Sequence, residues 1–132
     1  MSDFLSLILD FVVAATADDD KYIPLPPGTW EIESVVLAPN ATSTGHASNF
    51  ADLNIYEDDG TTVLYNRDTD SGGDGTLTAA TEEALTKESG GDVRFVSTAA
   101  APVGIRVNKT ESGTGVAIDC TFGIFVRRVA EL

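Results

Sequence analysis

Sulfur and imidazole are almost missing from this chain, which has one cysteine, one histidine and one methionine in 132 residues. Cys120 alone cannot close an intrachain disulfide. A chain of this length still buries about two-thirds of the surface its unfolded form exposes, so it needs neither metal nor disulfide to fold. A reducing cytoplasm is the expected place of folding, and the alternating apolar neighbours of Cys120 make it a packed thiol. The single histidine, His46, excludes a site with several imidazole ligands within one chain. It sits in the polar stretch "NATSTGHASN" and reads as a loop histidine.

Positive charge is scarce too. Lys and Arg total 8 against 21 Asp and Glu, a formal net charge of -13. That field repels phosphate and anionic lipid, so neither nucleic acid nor a membrane surface is an expected partner. No apolar run reaches the roughly 20 residues of a membrane-spanning helix. The opening "MSDFLSLILDFVVAATADDD" imitates a secretory leader, with Ala15-Thr16-Ala17 after its apolar run. It lacks a basic start and carries Asp3 and Asp10, so it reads as part of the fold.

What the sequence does contain is a period of two. Val116, Ile118, Cys120, Phe122, Ile124 and Val126 take alternate positions near the C-terminus, the mark of a strand with one buried face. Val103, Ile105 and Val107 repeat the pattern, and "NKTESGTG" between the two runs suggests that they pair as a hairpin. In "GTWEIESVVLAP", Trp30, Ile32 and Val36 are expected inward, with Glu31 and Glu33 on the outward face. Asp58-Asp59-Gly60 between "DLNIYE" and "TTVLYNR" is a hairpin signal, since Gly accepts positive φ. "DVRFVS" adds a short strand, while "LTAATEEALTKE" fits either a short helix or an extended segment.

The N-terminal "FLSLILDFVV" fits both periods, and Val12, Val13 and Thr16 favour a strand. Its odd face belongs in a core. Its even face, with Phe4, Ile8 and Val12, is greasy as well, so either another subunit or a loop of the same chain should lie over it. Residues 1–27 are thus the part of this single domain (1–132) read as available to a neighbouring subunit. Phe4, Ile8 and Val12 are the candidate contacts, together with the proline-rich Tyr22, Ile23, Pro24, Leu25, Pro26 and Pro27, which lose little entropy on docking. Strands between Gly, Asp, Ser and Pro turns, with no room for crossover helices, give an all-β antiparallel sandwich of jelly-roll kind, with an immunoglobulin-like order as the alternative.

Motifs with chemistry are few. "DTDSGGDG" opens like a calcium loop, with Asp68, Asp70 and Gly73 in place, but Ala79 stands where the bidentate Glu should be, so it reads as a solvated turn. No strained Gly-x-Ser-x-Gly elbow is present, and Gly73-Asp74-Gly75 and Gly113-Thr114-Gly115 lack the lysine and helix of a phosphate loop. No metal ligand set, cofactor or catalytic group is expected. Trp30, Tyr22, Tyr56 and Tyr65 could stack on sugar rings, with Tyr56 expected to point outward.

Two stretches, "PLPPGTWEIESVVLAPN" and "APVGIRVNKTESGTGVAIDCTFGIFVRRV", together resemble the small decoration (cement) proteins of tailed-bacteriophage capsids. The resemblance covers about a third of the chain and consists of turn chemistry. It implies a sandwich on the outer surface of the virion, commonly a homotrimer, that clamps subunits of the major capsid protein after synthesis in the host cytoplasm. It brings no catalytic residues. The alternative expectation is a carbohydrate- or receptor-binding module of a phage fibre or spike.

Overall fold

The C-terminal alternation forms the longest strand, β9 (Ile118–Ala130), in which Ile118, Cys120, Phe122, Ile124 and Val126 are all buried. A computed structural model describes residues 4–130. In it β9 lies inside one sheet, between β1 (Phe4–Val13) and β3 (Gly28–Pro39). Two short strands, β6 (Glu83–Ala84) and β7 (Arg94–Ser97), follow one another along the far side of β3. The second sheet runs β2 (Asp19–Pro24), β8 (Gly104–Ser112), β4 (Phe50–Tyr56) and β5 (Val63–Asp68). All pairings between these strands are antiparallel.

The chain changes sheet at each step from β1 to β4 and again from β8 to β9, so late strands lie between early ones in both sheets. That interleaving is the double Greek key of a jelly roll. An immunoglobulin-like order would keep the first two strands in one sheet, whereas β1 and β2 are in different ones.

The sheets enclose one apolar core. Phe11 meets Phe122 edge to face with ring centroids 5.8 Å apart, and Phe95, Leu37, Leu64 and Ile105 are fully buried around them. Each such side chain contributes about 1.5–3 kcal/mol by leaving water. The β4–β5 hairpin forms at the Asp-Gly turn as expected, with Gly60 at φ 74. "LTAATEEALTKE" forms no helix: it turns at Ala79–Ala80, with Ala80 at φ 61, Leu77 is buried, and only Glu83–Ala84 is in a strand.

Two expectations are corrected. β8 and β9 do not pair with each other: β8 lies between β2 and β4, and the turn after Ser112 carries the chain across to the other sheet. Gly115 makes that crossing at φ 65 while packed against the Ala15 carbonyl, where a side chain would collide. The second correction concerns β3. A bulge at Glu33 inserts one residue against β9, because Ile32 pairs with Val126 but Ser34 with Phe125. Inward parity therefore switches from Trp30 and Ile32 to Val35 and Leu37, and Val36 turns to the outer face.

Candidate docking surface

Most side chains that could do chemistry already have structural work. In the 68–75 loop, the Asp70 and Asp74 N–H groups donate to Asp68 Oδ1 at 3.1 and 2.9 Å. The Asp68 N–H donates to Asp74 Oδ2 at 3.0 Å, and the Gly72 N–H to Asp70 Oδ1 at 2.9 Å. The carboxylates thus fold the loop onto its own backbone, as Asx turns do. Buried Arg67 fastens the loop from below. It pairs with Glu83 at 2.8 Å and donates to the carbonyl oxygens of Asp68, Gly75 and Thr76. Burial opposes its charge, but Glu83, with Asp74 and Asp68 nearby, outweighs that and raises its pKa. A polar groove of about 290 Å³ beside it is lined by Asn66, Asp74, Glu83 and Thr86. Arg67 is spent on its partners and offers no free donor there.

His46 is exposed, and its Nδ1 accepts from the N–H groups of Ser48 and Asn49 at 3.0 and 2.9 Å, closing its own loop. Among the described residues no three His, Cys, Asp or Glu side chains converge as a metal site. The rings expected to meet sugars are mostly covered. Trp30 lies in the core at 2% exposure, its indole N–H donating to Pro26 O at 2.9 Å. Tyr56 does sit on the outer side of its sheet, but the Arg106 guanidinium stacks 4.4 Å above its ring and its hydroxyl donates to Asn108. Of the four, only Tyr22 is well exposed, at 63%.

The outer face of the β1–β9–β3 sheet is different. Alternation places Phe4, Ile8 and Val12 outward on β1, and they are 60%, 67% and 65% exposed. No loop of the described chain covers them. Register sets Ile8 beside Gly123, which lies beside Val36, and sets Ser6 beside Phe125. Gly123 has no need of a left-handed backbone. What its missing side chain does is lower the surface: a Cβ built there would lie 3.6 Å from the Phe125 ring and 4.0 Å from Ile8 Cδ1. The result is a shallow depression of about 210 Å³ lined by Ile8, Val36, Ala38, Thr121, Gly123 and Phe125, with Glu82 at its margin.

The polar groups at both ends of this patch are paired. At one end Arg127 binds Glu31 and Glu33, and Arg94 binds the second oxygen of Glu31 at 3.0 Å. At the other, Thr121 Oγ1 donates to Asp10 at 3.0 Å and Asn40 Nδ2 to Asp119 at 3.2 Å. An apolar centre inside a polar rim is the anatomy of a protein–protein contact.

The other candidate contacts lie elsewhere. Tyr22, Pro24, Pro26 and Pro27 are exposed and Ile23 is half-buried on or after β2, in the second sheet. Leu25 is a core residue at 4% exposure and presents no surface. Sequence reasoning missed Phe125, Gly123, Val36 and Ala38. The signal for Phe125 was available: it is an apolar residue at the polar parity of β9. Comparison with family models, curated proteins and solved structures gave no match.

Proposed function

We propose that this chain is a non-enzymatic virion component, an auxiliary decoration protein on the outer surface of a tailed-phage capsid that bridges subunits of the major capsid protein. The observation that carries the reading is the uncovered patch of Phe4, Ile8, Val12 and Phe125 around the Gly123 depression. Such a patch releases about 25 cal/mol for each Å² of apolar area it buries against a neighbour, and several copies engaged at once multiply the effect. The acidic surface suits the outside of a shell, away from packaged DNA. The carboxylates of Asp68 and Asp74 in the 68–75 loop are engaged by backbone N–H donors of the loop itself.

A sugar-binding role finds less support, because Trp30 and Tyr56 are covered. The test is co-sedimentation with capsids that lack the protein. Wild type should pellet with them, while Phe125→Asp and Ile8→Asp, both at exposed positions, should stay folded and remain in the supernatant. Equal pelleting of wild type and both variants would overturn the proposal.

A further inference from the structure

Among the described residues β1 is paired with a strand on one side only, β9, and it forms an edge of its sheet. Open edges are normally blunted by charge, proline, bulges or short length. The remaining edges of the sandwich follow that rule: β2 carries Asp19, Asp20, Lys21 and Pro24, β6 and β7 have two and four residues, and β5 is bridged from outside by Lys87. β1 has no proline and no bulge, and Asp10 is its one charged residue.

We propose that this edge pairs with β1 of a second copy, antiparallel about a two-fold axis at Ile8, to make one continuous sheet through two protomers. The sequence of β1 is complementary to itself in that register. Ile8 lies opposite Ile8 of the second copy, Phe4 opposite its Val12, and Asp10 opposite its Ser6. On the inner side Leu7 meets Leu9 and Leu5 meets Phe11, covering the leucines that one protomer leaves half-buried. Because side chains alternate faces, a neighbouring register must slip by two. Slipping either way sets Asp10 against Phe4 or against Ile8, and the slip that centres on Asp10 sets two carboxylates together. The two-fold at Ile8 alone pairs every apolar residue of the exposed face with another and leaves the carboxylate beside a hydroxyl. An isologous pairing of this kind closes at two copies.

The pairing also sets the outer patches of both protomers side by side, and it holds whether or not they bind a coat. Sedimentation equilibrium on wild type, Ser6→Asp and Ser6→Lys tests it, since Ser6 is exposed and off the core. Wild type should reach twice the protomer mass and associate more tightly as salt screens the acidic charge. Two cross-strand contacts per dimer should make Ser6→Asp dissociate about tenfold more readily and Ser6→Lys about tenfold less. Under oxidation Ile8→Cys should crosslink into dimers and Ser6→Cys should not, Cys120 being buried. A single-protomer mass at every concentration, a three-protomer mass, or a shift of both Ser6 charge variants in one direction would overturn the pairing. Phe125→Asp reads the coat contact separately, since it lies on β9 and off the edge.

Discussion

Lys109 Nζ donates to the carbonyl oxygen of Ala14 at 2.7 Å, although Lys109 belongs to β8 in one sheet and Ala14 follows β1 in the other. The carbonyl oxygens of Ala15 and Ala17 accept from the same ammonium at 3.0 and 2.7 Å, Glu111 stands 3.5 Å away, and the side chain is wholly buried. A buried cation must be compensated, and here three carbonyl dipoles and a carboxylate do so. The loop after β1 is thereby tied to the opposite sheet. Lys109→Met should cost about 3 kcal/mol or more, because it leaves those carbonyls without a donor. The measurement is a urea titration. A loss below about 1 kcal/mol would mean that water replaces the ammonium at no cost.

Acid should loosen the β4–β5 hairpin. The Asp59 carboxylate accepts from Thr62 Oγ1 and from the N–H groups of Thr62 and Thr61, which lower its pKa from 3.8 to about 2. A carboxyl held down in the folded state contributes stability above its unfolded pKa and loses it as pH falls through the folded one. The loss should therefore run from about pH 4 to about pH 2. A carbon-13 titration of the Asp59 carboxyl with a midpoint near 4 would refute this.

Cys120 should resist alkylation in the folded protein. Burial, with Asp119 adding to it, pushes the thiol up to about 12, so almost no thiolate forms near neutral pH. Its reaction with iodoacetamide should follow unfolding, and Lys109→Met should speed it. Rapid labelling of native wild type would contradict the packing described for β9.

Filling the depression should block docking with the fold intact. In Gly123→Leu the added Cβ meets Phe125 and Ile8 only at van der Waals distance, the rest of the side chain projects from the outer face, and the backbone there is not left-handed. The variant should unfold at a urea concentration close to that of wild type and bind capsids at least about tenfold more weakly, as loss of a well-packed anchor does. Unchanged binding would place the contact on another face.

The sandwich could be read from β9 and β4 because a strand with one face in a core must alternate, and the irregularities beside them leave Ile118 to Val126 and Ala51, Leu53 and Ile55 in phase. The β8–β9 hairpin was misread because Gly113 and Gly115 reverse the chain equally well within a sheet or between sheets, and only the strands inserted beside them decide which. Val36 was misread because a bulge leaves no mark in composition. The direction of Tyr56 was right, yet its cover by Arg106 comes from a strand 50 residues further on and has no local signature. Phe4, Ile8 and Val12 were legible as a greasy face. That β1 is an edge follows only from the order of the whole sheet.

Glu33 acts as a phase shifter for the second half of β3. Deleting it would only regularise the ladder, with Ile32 and Ser34 consecutive against Val126 and Phe125, and Val35 and Leu37 would stay inward. Were Glu33 instead paired opposite Phe125, Val36 and Ala38 would turn into the interior and Val35 and Leu37 out to water. The exposed face and the hydrophobic interior are thus two readings of one short string, and a glutamate looped out of the ladder selects between them.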